Sequence, residues 1–261
     1  MTARQALHPR TAGPGRSPVL QTLQRAVAVL DLLSKYAPLS AAQIGEKLGL
    51  ERTIVHRLIR TLETELLIER EGGLVRLGPR HVLFANSYIG QQGLRQACLP
   101  YQVDFLYRTF AGEPWALTLL VRAGDSVTQV SQLVSPTAPL QSLIAVGGIV
   151  RLDQAAAGRC LLAYEPDDEV ECLLGAAAAA ELAPRLARIR AEGGIDYVRP
   201  AERAGAPPEL SALAVCIRGR SQRPVGALTL SGSQLDQHLT ADSAPAANLR
   251  AIAAHLGQVV P

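Results

Sequence analysis

Thr53, His56, Arg57 and Arg60 recur at the three- and four-residue spacing that gathers side chains on one stripe of a helix, with Arg52 at its edge. Their chemistry suits a nucleic acid. A guanidinium can grip guanine O6 and N7 through two hydrogen bonds, and threonine and histidine can reach other base edges or phosphate oxygens. The opposite stripe, Ile54, Val55, Leu58, Ile59 and Leu62, is apolar. Such a helix can pack on a small core and lay its cationic side in the major groove of DNA. Taken singly, each residue has a blander role, because surface arginines are common and a lone histidine is usually an ordinary surface or half-buried group.

The flanking chain must supply the elements that hold this helix. Apolar Leu23, Ala26, Val27, Leu30 and Leu33 predict a first helix over about Gln21 to Lys35, ended by Ala37-Pro38. Ser40 and Gln43 have the spacing of a capping box and start a second helix, whose buried face is Ile44 and Leu48. Gly49 stands where a left-handed C-cap belongs. The polar-apolar helix itself spans about Arg52 to Glu65. Leu66 to Arg70 and Leu74 to Leu77 read as strands around Glu71-Gly72-Gly73, a hairpin in which Arg70 and Arg76 could pair with Glu69 and Glu71. Helix, helix, turn, helix, hairpin is a winged helix-turn-helix, and the whole constellation points to DNA binding where no single residue does.

Charge is distributed to match. Residues 1–97 carry thirteen Lys plus Arg against seven Asp plus Glu, while residues 98–261 carry thirteen against sixteen, so a basic third precedes an acidic remainder. With 48% hydrophobic and 19% charged residues in 261, the chain can build real cores. No apolar run is long enough to span a membrane, and residues 1–19, rich in Pro and Gly with no apolar core, read as a flexible tail and not a signal peptide. Cys98, Cys160, Cys172 and Cys216 sit inside apolar patterns without close pairing, as expected of reduced thiols in a cytoplasmic protein.

Beyond Gly78-Pro79, residues 80–97 read as a linker helix weakened by Gly90 and Gly93, and Pro100 separates it from a further helix, Tyr101 to Phe110. From Pro114 the period becomes that of strands. PWALTLLVR and SVTQVSQLV flank a turn at Ala123-Gly124-Asp125, and Leu140 to Val146 is another strand candidate. Helices are expected at Ala155 to Tyr164, Pro166 to Leu174 and Ala180 to Glu192. Strands are expected at Asp196–Arg199, Ser211–Ile217 and Val225–Ser231, with a last helix from Ala244 to His255 ended by Gly257. This order indicates an α+β sensor-like domain around an antiparallel sheet.

Residues 20–258 resemble the IclR family of bacterial regulators. Gln21-Thr22-Leu23-Gln24-Arg25-Ala26 is similar to that family's helix-1 opening, and Thr53-Ile54-Val55-His56-Arg57-Leu58 to its recognition-helix core. Further landmarks are Val146-Gly147, the run Ala155 to Ala163, Ala212 to Ile217, and Ala227 to Gly232. The resemblance implies an α+β multidomain chain: tail 1–19, winged helix-turn-helix 20–79, linker helix 80–98 and a GAF-like effector-binding domain 99–261. It implies that Arg52, Thr53, His56 and Arg57 face bases, with Arg60 at the groove margin and Arg25, Ser40, Arg70 and Arg76 near phosphates. The wing, with Glu71-Gly72-Gly73 at its tip, is short for the family. In the second domain it implies a pocket bordered by Ala156, Ala157, Thr229 and Ser231, with Cys216 on an adjacent strand and Glu202 or Asp196 as an acidic member. An apparent insertion lies around Ala206-Pro207-Pro208, and Asp153 falls in a segment where the family often has histidine.

The chemistry of that pocket is legible in outline. Backbone N–H groups at the helix start could hold a carboxylate, and Thr229 and Ser231 would project hydroxyls from one strand face. The expected partners are a palindromic double-stranded DNA operator and a small organic effector of the aromatic or carboxylic acid kind, for a homodimer or homotetramer that needs no cofactor, metal or membrane. The main alternative is a small-molecule-processing enzyme with Cys160, beside Arg159, as its nucleophile. Against it, the chain lacks a phosphate-binding loop, a nucleophile elbow and metal-ligand spacing, and its five histidines are scattered.

Overall fold

The computed structural model describes residues 20–91, 93–138, 147–199, 211–233 and 235–259. Expectations for the 1–19 tail, the Leu140 to Val146 strand, Glu202 and the Ala206-Pro207-Pro208 insertion therefore lie outside the described residues. The rest divides into two compact units, the first ending at Gln91.

In the first unit, α1 (Gln21–Tyr36), α2 (Ala41–Leu48) and α3 (Arg52–Thr64) precede a hairpin of β2 (Ile68–Glu71) and β3 (Leu74–Leu77). The Ser40 box is formed: Gln43 N donates to Ser40 Oγ at 3.3 Å, and Ser40 N to Gln43 Oε1 at 2.8 Å. Gly49 follows α2 with φ +63°, the left-handed conformation that a residue without Cβ adopts without strain. Gly72 and Gly73 both have positive φ, and Glu71 pairs with Leu74, so the wing is a two-residue hairpin and Glu71 belongs to a strand. A short strand absent from the sequence reading, β1 (Leu39–Ser40), adds to β3. The α1 face needs correction. Val29 and Leu33 are buried, whereas Leu23 and Val27 are exposed. The core joins these to Ile44, Val55, Leu58, Ile59, Leu62, Ile68 and Val75.

The linker is also corrected. Instead of one helix over 80–97 there are two, α4 (Arg80–Gly90) and α5 (Gly93–Asp104). Pro100 lies inside α5 and does not end it; the helix continues as a π turn, Phe105–Thr109. α4 buries no side chain of its own and is tied to the wing base through Arg80, which reaches Glu65, and His81, whose Nε2 lies 2.8 Å from Leu67 O. α5 is core to the second unit through Leu94, Cys98, Gln102 and the following Phe105 and Leu106.

The second unit is a six-stranded antiparallel sheet in the order β6-β5-β4-β9-β8-β7. Its strands are β4 (Trp115–Ala123), β5 (Ser126–Val134), β6 (Ile149–Arg151), β7 (Ile195–Val198), β8 (Ser211–Arg218) and β9 (Pro224–Gly232). α5 and α9 (Ala244–Val259) cover one face through Leu117, Leu213, Leu228, Leu230, Leu249 and Leu256. α6 (Ala156–Leu162), α7 (Asp167–Leu174) and α8 (Ala176–Ala191) cover the other over smaller residues, among them Ala214, Cys216 and Ala227. Gly257, expected to end the last helix, lies within α9. A Cβ there would stand 2.0 Å from Arg218 O, so the glycine allows helix and strand to touch.

Candidate DNA-reading face and ligand pocket

α3 is the amphipathic helix its sequence promised. Val55, Leu58, Ile59 and Leu62 are buried, at about 1.5–3 kcal/mol of transfer free energy each, which fixes the rotation of the helix. Arg52, Thr53, His56, Arg57 and Arg60 are all exposed as a consequence. Arg52 Nε donates to His56 Nε2 across one turn at 3.4 Å. No ion pair among the described residues ties down Arg52, Arg57 or Arg60. Arg25 is half-buried on α1, and Ser40 keeps its O–H free to donate because its oxygen serves the α2 cap as acceptor.

The wing is electrically different. Arg76 lies 3.2 Å from Glu69 and 3.1 Å from Glu71, and Arg70 reaches 3.3 Å to Glu63 on α3, a partner the sequence did not suggest. These exposed pairs are each worth about 0–1 kcal/mol, so phosphates could displace them, but in free protein the wing cations are compensated.

In the second unit the register brings distant residues together. Ser231 pairs with Ala116 on one side and Ala212 on the other; Thr229 pairs likewise with Thr118 and Ala214. Directly paired residues share a face, and this one lies beneath α6. α6 runs along β8. Cys160 Sγ donates to Ala214 O at 3.5 Å, while Tyr164, just past the helix end, touches Gly194 next to Cys216. The opposite end, with buried Ala156 and Ala157, therefore lies toward Ala212 and its partner Ser231, with Thr229 next along the strand beside Ala214. Small side chains meet there from both layers. Thr229 Oγ1 is sealed from solvent and has no hydrogen-bond partner. Thr118 and Ala116 were missed in the sequence, although a threonine inside the apolar run of β4 was a signal.

Two expected members are taken up by packing or by ion pairs. Cys216 is buried at the far end of α6, and burial pushes its thiol up to about 12. Asp196 is fully buried and accepts from Arg159 Nε at 2.6 Å, Arg185 Nε at 3.0 Å and Arg188 Nη2 at 2.7 Å. Its carboxylate is taken up by this cluster. α6, with seven residues and no side-chain cap, is a weak source of the helix-terminus field expected for an anion.

Cys160 has none of the features of a nucleophile. It is fully buried, and burial, aided by the Asp196 charge, raises its thiol well above the ordinary range, with Arg159 opposing only in part. Cys98 is likewise pushed up to about 12 by burial, and only Cys172 is exposed. Titration of the native protein with a thiol-reactive disulfide should modify one cysteine fast and three only on unfolding; rapid loss of Cys160, read by peptide mass, would revive the enzyme alternative.

Comparison with known proteins identifies both parts of the chain. Residues 22–72 match the family model for the IclR helix-turn-helix domain, and residues 87–257 match that for the bacterial transcriptional regulator IclR C-terminal region. The chain is 30% identical over 243 residues to the glycerol operon regulatory protein of Streptomyces griseus, covering 88% of this chain and 91% of that one. It is 32% identical over 165 residues to the HTH-type transcriptional regulator TtgV of Pseudomonas putida, a match spanning 62% of this chain and 61% of TtgV. Its fold is shared with an IclR homologue from Microbacterium hydrocarbonoxydans crystallised with 4-hydroxybenzoate, with a TM-score of 0.70 and 22% identity over 90% of this chain and 97% of that one. The chain belongs to the IclR family of DNA-binding transcriptional regulators.

Proposed function

We propose that this regulator reads a palindromic operator with α3 and releases or grips it in response to a small organic effector held beneath α6. The observation that carries the DNA half is the uncompensated cationic face of α3. Thr53, His56, Arg57 and Arg52 meet base edges, Arg60 lies at the groove margin, and Arg25, Ser40, Arg70 and Arg76 approach phosphates. Because Arg70 and Arg76 begin in ion pairs with Glu63, Glu69 and Glu71, the wing contributes less to affinity than α3.

The effector half rests on the sealed, partnerless Thr229 hydroxyl beside Ser231, Ala156 and Ala157. Such a group costs about 1–3 kcal/mol if left unsatisfied, which favours a ligand that hydrogen-bonds there. Glu202 remains the candidate acidic member because Asp196 is engaged, and Cys216 acts as packing at the edge of the site. A relative's 4-hydroxybenzoate complex makes small aromatic acids the first ligands to try. Binding would shift the population of DNA-competent arrangements through α4, to the extent that the ligand prefers one of them.

The regulator acts as a homodimer or a pair of dimers in the cytoplasm; no helix among the described residues is long and apolar enough to cross a membrane. Val82, Leu83, Phe84 and Tyr88 stand exposed on α4, which buries nothing within its own unit, and a second copy would cover them.

Three measurements test these readings. Arg57→Ala should keep the fold and reduce promoter selectivity by about 1–3 kcal/mol in retardation assays, with wild-type binding falling steeply as salt rises; intact selectivity would remove α3 from the groove. Leu83→Glu should shift the sedimentation equilibrium toward monomer and weaken operator binding, and an unchanged oligomer would place the interface elsewhere. Thr229→Val with Ser231→Ala should leave DNA binding intact while abolishing the effect of an active ligand from a screen of small organic acids. A full ligand response in that variant would move the pocket.

A further inference from the structure

Two members of the α3 stripe are joined to each other. Arg52 Nε donates to His56 Nε2 at 3.4 Å, a bond that spans one turn on the solvent side of the helix. Which nitrogens take part decides what each residue has left. On the imidazole it is Nε2, the nitrogen farther from the backbone and the one able to reach outward to a base edge. On the guanidinium it is Nε, the nitrogen nearest the backbone, so the terminal Nη1 and Nη2 groups stay free. Those two groups form a planar fork that matches guanine O6 and N7. The pair therefore has one outward-reaching reader, and it is the arginine.

The place of Arg52 on the helix argues that it is there for a partner. It is the first residue of α3, where the macrodipole is positive and a cation is unfavourable. That first turn holds no acidic residue, and no side chain caps it. Residues at the start of a recognition helix are the ones that reach base edges. A long arginine in that position loses rotamer freedom when it grips a base, and a neighbour that already holds its Nε removes part of that loss before DNA arrives.

We propose that His56 is a positioning residue for Arg52: it braces the guanidinium so that the terminal fork meets a guanine, and it acts on the DNA sequence through that arginine. The assignment rests on the α3 reading above and deepens it, since it divides the base-facing residues into one that reads and one that orients.

An operator duplex selected from a randomised library with the full wild-type chain supplies the probe, and each base pair is then replaced in turn in retardation assays at fixed salt. Arg52→Ala should erase discrimination at one or more G·C pairs. His56→Ala should lower discrimination at those same pairs by about two- to tenfold and add nothing in the Arg52→Ala background. His56→Gln, whose amide oxygen offers an acceptor at similar reach, should restore most of it, whereas His56→Phe keeps a ring without an acceptor and should not. Both side chains are exposed, so the variants should fold, as circular dichroism checks; if the Ala variant does not, the contrast between Gln and Phe decides. The assignment is overturned if His56→Ala acts at other base pairs, if its loss persists in the Arg52→Ala background, or if the Gln variant behaves as the Phe variant does. Arg57→Ala separates this claim from the one beneath it. Selectivity lost in that variant but unchanged in the Arg52 and His56 variants keeps α3 in the groove and removes the pair, whereas selectivity unchanged in all three removes α3 as well.

Discussion

Arginine keeps its charge at any pH the protein meets, so its position is governed by where water or acceptors can reach the guanidinium. On α3, Arg52, Arg57 and Arg60 remain in solvent, and the helix is held instead by Val55, Leu58, Ile59 and Leu62 on its opposite side. On the wing, Arg70 and Arg76 are half-exposed and find carboxylates at once. In the second unit Arg159 is inside, and its burial is tolerable because Asp196 and the Asp153 carbonyl meet two of its nitrogens. One side-chain chemistry therefore serves as an open cationic face, a compensated surface and an internal brace.

The second unit depends on a sheet covered on both faces. Large aliphatic residues on the α5 and α9 side fill the thicker core, while alanines on the α6 side allow a short helix to approach closely. Gly158 shows how close the approach is, since a Cβ there would lie 2.2 Å from Leu152 O. The same economy of side-chain size leaves polar Thr229 and Ser231 next to small neighbours, the usual composition of a selective small-molecule site.

Local signals in the sequence carried far in the first unit. The Ser40 and Gln43 box, the Gly49 cap, the glycine turn of the wing and the two stripes of α3 all involve residues a few positions apart, and each was readable because its physics is local. The errors arose where the tertiary environment outweighed the pattern. Leu23 and Val27 fit a helical apolar stripe but face outward, Pro100 is accommodated within α5, and Gly257 serves a helix–strand contact and ends nothing. Glycine and proline mark a special backbone position without saying which kind.

By itself, the sequence determined the winged helix-turn-helix, the cationic stripe, the α+β class of the remainder and the kinship that joins them. Periodicity, capping and charge are properties of neighbouring residues, and they survive without coordinates. Only the tertiary structure decided that Asp196 is clamped by three arginines, that Arg70 pairs with Glu63, and that Thr229 Oγ1 and Arg159 Nη2 are sealed without a partner. Those outcomes follow from strand register and helix packing between residues tens of positions apart, where competition for one carboxylate oxygen, and not the identity of any residue, sets what each group is free to do.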